Sequence, residues 1–235
     1  MVDTSIRLYV PDLPPLGTEF PLSAGQAHYL ANVMRLTEAD TLLVFNGLVG
    51  EWRARVTQIS RKSAMLLLQT QTRTLAAEPD AWLCFALLKR QKTDLVVEKA
   101  TELGVSVLQP IITARTNADH VNLERLRAIA IEAAEQCERL HVPDIRPPKK
   151  LAELLGSWPD RALYVADERR TSALLTTAAQ PSALMIGPEG GFTERELEDI
   201  ARYVPAAQPV SLGRRILRAE TAAIAGLALL LATQP

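Results

Sequence analysis

ALMIGPEGGFTERELEDI, residues 183–200, decides how the chain is read. Ala183 to Ile186 form an apolar run of strand length, and Gly187-Pro188-Glu189-Gly190-Gly191 follows without a break. A helix is expected from Thr193, because Thr193 and Glu196 have the T-x-x-E spacing of a capping box, in which each side chain answers the other's backbone N–H. Strand, glycine turn and helix make one unit of a parallel sheet, and such sheets bind ligands beyond the carboxyl ends of their strands. The adjacent glycines carry two readings: they let peptide groups approach a ligand without Cβ interference, or they serve only the dihedral angles of a tight turn. A P-loop is excluded, since Phe192-Thr193 follows the last glycine in place of Lys-Ser or Lys-Thr. The dinucleotide fingerprint G-x-G-x-x-G is absent from the chain. Glu189 in the loop disfavours a phosphate and suits a neutral or cationic ligand.

Downstream, PVSLGRRILRAETAAIAGLALLLA, residues 209–232, repeats the pattern. A strand over Pro209–Leu212 ends at Gly213, a basic loop Arg214-Arg215 follows, and Ile216-Leu217-Arg218 leads into a helix that is apolar almost all round. Such a helix is buried against the sheet or a second subunit. Arg218 and Glu220 at its start read either as an ion pair or, for Arg218, as a group orienting an RNA phosphate or base.

Upstream, from Trp82, strands and helices alternate. WLCFALL and VSVLQPII are strand-like, and QKTDLVVEKATELG between them places Leu95, Val96, Lys99 and Leu103 at helical spacing, with Gly104 as the stop. Asn122 is positioned to cap a long helix with the face Leu123, Leu126, Ile129, Ala130, Ala133, Cys137 and Leu140. A further strand is expected at Ala162–Ala166, which completes a parallel α/β sheet covered on both faces. Residues 1–73 differ: Arg7–Val10, Thr41–Phe45, Glu51–Ile59 and Met65–Gln69 read as strands, Gln26–Arg35 as a short helix and Asn46-Gly47 as a turn. These imply a small, partly closed β-barrel. The polar Thr72–Asp80 is the linker, so the expected domains are 1–73 and 74–235.

The net charge of -1 excludes a global basic field, so any nucleic-acid contact rests on local patches. Candidates are Arg7, Arg53, Arg55, Arg61 and Lys62 in the first domain, where Arg53 and Arg55 share one strand face or form a merely solvated one. Lys89, Arg90 and Lys92 after the first α/β strand, with Arg214 and Arg215, complete the set. MVDTSIRLYV lacks the pattern of a secretory signal, and the apolar run Ile224–Ala232 is far shorter than the roughly 20 residues a membrane helix needs. Cys84 and Cys137 lie in apolar patterns and read as reduced, buried thiols, and the expected location is cytoplasmic. His28, His120 and His141 are scattered without metal-ligand spacing, so no metal is expected.

IGPEGGFTERELE and LGRRILRAETA, in that order near the C-terminus, resemble the ribosomal RNA small subunit methyltransferase E family of the SPOUT methyltransferases. KRQKTDLVVEKATELGV (89–105), LRAIAIEAAEQCERLHVP (126–143), the opening IRLYV and the H-x-x-x-x-V-M-R of His28–Arg35 extend the resemblance over essentially the whole chain. It implies a PUA-like N-terminal domain and a C-terminal α/β domain with a deep trefoil knot, which patterning alone never suggests. It also implies a homodimer joined through the knot region and C-terminal helix, S-adenosylmethionine as cofactor, and methylation of N3 of a uridine in 16S ribosomal RNA, on the assembled 30S subunit. The implied cofactor contacts come from Leu163, Val165, Ala166 and Glu168; from Ile186, Gly187, Pro188, Gly190 and Gly191; and from Leu212, Gly213, Ile216, Leu217 and Arg218, largely through backbone groups. Catalytic candidates are Arg218, for electrostatic stabilisation of the uracil anion, and Glu189 or Glu220 as proton acceptors. Arg214 and Ala219 depart from the proline and threonine usual in the family. Two other classes compete: a non-catalytic RNA-binding module with a vestigial pocket, and a metabolic enzyme acting on a small nucleotide. The intact glycine segments weigh against the first and the extra β-rich domain against the second.

Overall fold

The computed structural model describes residues 6–117, 120–167, 172–176 and 179–232. The chain forms two compact units, residues 1–77 with 134–142, and residues 78–133 with 143–235.

The first unit contains β1 (Arg7–Tyr9), β2 (Glu19–Pro21), α1 (Ala24–His28), β3 (Thr41–Phe45), β4 (Glu51–Ile59) and β5 (Ala64–Arg73). α1 begins two residues earlier than expected because Ser23 and Gln26 form a capping box, and it runs on through a π-helical turn over Tyr29–Val33. The sheet order is β1-β3-β4-β5-β2, with β1 and β3 parallel and the other pairs antiparallel. Where a partly closed barrel was expected, no ladder joins β1 to β2 among the described residues. Alternation makes the core: Leu42 and Val44, Ala54 and Val56, and Ala64, Leu66 and Leu68 are buried with Phe20 and Leu30. Asn46 accepts from the backbone N–H of Leu48 and Val49, which forms the anticipated turn.

Residues 134–142 join this unit through Arg7. Its guanidinium pairs with Glu51 at 2.8 Å, stacks 4.5 Å from the Phe45 ring, and donates to the carbonyls of Ala134, Glu135 and Arg139. Arg7 is 8% exposed, so it is a structural cation with no face for RNA, which corrects the expectation from sequence.

The second unit runs β6 (Ala81–Ala86), α2 (Arg90–Leu103), β7 (Val107–Ile112), α3 (Leu123–Gln136), β8 (Asp144–Ile145), β9 (Lys149–Lys150), α4 (Leu151–Leu155), β10 (Ala162–Ala166), β11 (Ser182–Ile186), α5 (Glu194–Tyr203), β12 (Gln208–Val210) and α6 (Ala219–Leu231). Its strands are ordered β12-β10-β11-β6-β7-β8, with β9 also on β7, and every pair is parallel. Gly104 ends α2 at φ 99°, as the stop signal required. The buried face of α2 is Val96, Val97, Ala100 and Thr101; Leu95 is exposed, and Lys99 pairs at the surface with Glu98 and Glu102. Asn122 caps α3 by accepting from the Arg125 N–H at 3.0 Å, and the helix ends at Gln136, short of Leu140, with Glu138 at φ 62°. α6 packs through Ala223, Gly226, Leu227 and Leu230. Among the described residues no helix is long and apolar enough to cross a membrane.

Candidate functional site

Three connections leave the carboxyl ends of β10, β11 and β12, and these strands are neighbours in the sheet although not all are neighbours in sequence. Their loops therefore converge. Val165, Ala166 and Asp167 end β10; Ile186 to Glu189, Gly191 and Phe192 follow β11; Pro209, Leu212, Gly213 and Arg215 to Ala219 follow β12. Together with Ser172, Leu197, Ile200, Ala201, Ala207 and Ala222 they enclose a pocket of about 810 Å³, within the usual range for a small organic ligand.

Local chemistry explains the walls. Thr193 accepts from the Glu196 N–H, and Glu196 accepts from the Thr193 N–H at 2.8 Å, so α5 starts where the capping box said and its face Leu197, Ile200 and Ala201 supports the pocket. Gly191 takes φ 68° and donates to the carbonyl of Pro188 at 2.9 Å, closing the turn. Gly213 takes φ 120° with nothing within 4 Å of where a Cβ would stand, so the wall is open there to a ligand.

Lys92 enters from the first turn of α2. Its ammonium hydrogen-bonds Glu189 and lies 3.4 Å from Oε1 of Glu220. The Lys92 hydrogen bond, reinforced by its charge, holds the Glu189 carboxyl below the usual range, and Glu189 in turn raises the Lys92 ammonium. Glu220 is 9% exposed, does not line the pocket, and keeps Oε2 buried without a hydrogen-bond partner.

Of the expected cofactor residues, Val165, Ala166, Ile186, Gly187, Pro188, Gly191, Leu212, Gly213, Ile216, Leu217 and Arg218 line the pocket. Leu163 does not: it shares a face with Val165 but lies two residues further from the carboxyl end of β10, packed in the core with Trp82 and Met185. Gly190 is outside the wall, its carbonyl taken by Arg115. Glu168 lies outside the described residues. Among the catalytic candidates Arg218 and Glu189 reach the pocket. Lys92 and Arg215, first read as RNA contacts, line it as well. Asp167, inside the 163–168 wall expected from sequence, lines the pocket too; Ser172 and Phe192 carry no signal in that reading, although Phe192 directly follows the glycines, and Leu197 and Ile200 figure in it only as part of a helix. Ser172 donates to Asp167 at 2.7 Å, tying the loop after β10 to itself.

The remaining basic candidates lie at the surface. Arg53 and Arg55 face away from buried Ala54 and Val56, Arg61 and Lys62 are exposed at the β4–β5 turn, and Lys89, Arg90 and Arg214 are exposed.

Residues 76–231 match the RNA methyltransferase domain family, and residues 22–68 match the RNA methyltransferase PUA domain. The ribosomal RNA small subunit methyltransferase E of Rickettsia conorii is 36% identical over 228 residues, covering 94% of this chain and 93% of that protein. The chain belongs to the ribosomal RNA small subunit methyltransferase E family. The Bacillus subtilis methyltransferase E is 29% identical over 226 residues, 88% of each protein. Among solved structures, methyltransferase E of Neisseria gonorrhoeae, bound to S-adenosylmethionine, aligns with a TM-score of 0.86 at 28% identity and covers 95% of each chain. A Legionella pneumophila methyltransferase in complex with the same cofactor gives 0.87 at 28% identity over 97% of each chain. Methyltransferase E membership makes the second unit a SPOUT-type α/β domain and the first a PUA-like domain.

Proposed function

We propose that this protein transfers a methyl group from S-adenosylmethionine to N3 of a uridine in 16S ribosomal RNA, on the assembled 30S subunit, in the cytoplasm and as a homodimer. The observation that carries the reading is the pocket itself: three loops from adjacent strand ends, two of them glycine-bearing, around a lining that mixes apolar and charged side chains. It suits a nucleoside with a short aliphatic tail. Val165, Ile186, Leu212 and Leu217 supply apolar surface, the open peptide at Gly213 supplies polar groups without a side chain, and Asp167 and Glu189 suit a cationic ligand. Bound there, S-adenosylmethionine supplies a methyl carbon whose bond to sulfur breaks, with its electron pair, as the uracil N3 lone pair attacks.

Arg218, exposed at the N-cap of α6 and on the pocket wall, offers positive charge to the uracil anion. Of the two carboxylates Glu189 is the better-placed acceptor of the N3 proton, because it lines the pocket and is half exposed, whereas Glu220 is buried off the wall. Lys92 weakens Glu189 as a base, so the anion must be stabilised by Arg218 while the proton leaves. The order β12-β10-β11, in which β12 follows β11 in sequence but lies beyond β10, supports the knot. An Ile216 that is 70% exposed, and an α6 that leaves Ile224, Leu229 and Leu231 only partly covered, support the dimer.

Incubating the protein with 30S subunits and labelled cofactor, followed by mass spectrometry of the nucleosides, tests the reading. N3-methyluridine at one position is expected; another methylated nucleoside, or none, refutes it. Arg218→Ala is expected to lower kcat by about 100-fold with cofactor affinity little changed, and full turnover by this variant removes Arg218 from the mechanism.

A further inference from the structure

Lys89 caps α2, Arg90 and Lys92 occupy its first turn, and no acidic residue accompanies them there. Positive charge is disfavoured at a helix N-terminus, so a cation kept in that place needs compensation from elsewhere. Lys92 finds two partners on two other elements, Glu189 of the glycine loop and Glu220 of the first turn of α6. The same loop is held from a second direction. Arg115, in the turn after β7, donates through Nη1 to the carbonyl of Gly190, and its side chain covers that glycine so closely that a Cβ would come within 3.2 Å of Cδ. The neighbouring Ala114 N–H donates at 2.8 Å to Glu196, the carboxylate that caps α5 immediately after the loop.

We propose that Lys92 and Arg115 are a two-armed clamp on the glycine loop and act as positioning residues for the cofactor, with no part in gripping RNA. The proposal rests on the assignment of the pocket to S-adenosylmethionine made above. A loop built on adjacent glycines is intrinsically free, and binding to a free loop must also order it. One arm pins the side chain of residue 189 and the other pins the main chain of residue 190, so the peptide groups on either side stand ready before the ligand arrives.

Charge and clamping have opposite signs at Lys92, which makes them separable. Removing the ammonium leaves Glu189 and Glu220 unbalanced, and that alone attracts a sulfonium, whereas losing the clamp weakens any ligand of the pocket. S-adenosylhomocysteine lacks the sulfonium charge and reports on the clamp alone. Calorimetry on the full chain therefore compares wild type, Lys92→Met, Lys92→Arg and Arg115→Met with both ligands, alongside binding of a 16S ribosomal RNA fragment.

The expected result is a Kd for S-adenosylhomocysteine raised about tenfold in Lys92→Met and Arg115→Met, a smaller rise for S-adenosylmethionine in Lys92→Met, near-recovery in Lys92→Arg, and RNA affinity within about twofold of wild type. Unchanged S-adenosylhomocysteine affinity in the Met variants overturns the clamp, as does loss of RNA affinity alone, which returns these residues to RNA. A change with S-adenosylmethionine but not with S-adenosylhomocysteine also overturns it, in favour of direct charge. If the wild type binds neither ligand, the pocket assignment itself fails and the clamp falls with it. Should Lys92→Met not fold, Glu189→Ala cuts the same contact from the loop side and is read with S-adenosylhomocysteine, because losing the carboxylate also weakens a sulfonium: a raised Kd is expected, and an unchanged one overturns the clamp.

Discussion

Arg7 shows how far one side chain's meaning depends on its surroundings. In sequence it is one of several arginines in a β-rich domain; in the structure it is 8% exposed and bonded to Glu51 and three carbonyls. Removing one partner from such a buried pair costs about 3–5 kcal/mol, so Arg7→Ala is expected to lower stability by that order in chemical denaturation. Cys84 is fully buried in the sheet, and burial pushes its thiol up to about 12. At pH 8 it is expected to resist iodoacetamide until the protein is unfolded, while half-buried Cys137 reacts first; early labelling of Cys84, read by peptide mass spectrometry, contradicts that burial. The Lys92–Glu189 contact predicts a pH window. Glu189 is lowered by Lys92, with smaller help from Lys89 and Arg218, so its contribution is complete above about 4.5 and is lost as pH falls through the depressed folded value. Lys92 is raised by Glu189 and Glu220, so its contribution is complete below 10.5 and is lost only as pH rises beyond it. Cofactor affinity is therefore expected to be flat from about pH 6 to 9 as far as this pair determines it.

At the scale of elements, those with strong local signals were legible and the short ones were not. The capping box at Thr193, the stop at Gly104 and the cap at Asn122 each depend on residues three or four apart, and each formed as read. β2, β8 and β9 have three, two and two residues, and α4 has five; stretches so short carry no period and are ordered only by the neighbours they pair with. α6 was read as buried, but its contact required a missing side chain. A Cβ on Gly226 would stand 2.5 Å from Leu184 Cδ2 and 3.4 Å from both δ carbons of Leu212, and Leu184 is fully buried, with no space to yield. Gly226→Ala gains about 1 kcal/mol of helix propensity against an overpacking cost of about 1–3 kcal/mol. The expected outcome is net destabilisation by urea titration and weaker cofactor binding, because Leu212 belongs to the pocket.

At the scale of the whole molecule, charge is spread thinly. A net charge of -1 leaves RNA contact to local patches, and the proposed contacts Arg55, Arg61 and Lys62 are all exposed in the first unit. Affinity for 16S ribosomal RNA is expected to fall steeply with salt, and replacing each phosphate-contacting residue should reduce the logarithmic salt slope by about one. An unchanged slope in the triple variant Arg55→Gln, Arg61→Gln, Lys62→Gln would move the RNA surface elsewhere.

By itself the sequence determined the alternation of strands and helices, the caps that start and stop them, and the glycine loop that marks a ligand site, because each is set by residues near one another along the chain. The tertiary structure decided the rest. It ordered β10, β11 and β12 so that three distant loops share one pocket, drew residues 134–142 to the first unit through Arg7, and set Lys92 between Glu189 and Glu220. Those outcomes depend on contacts between residues 20 to 132 positions apart, for which no local propensity or spacing exists to be read.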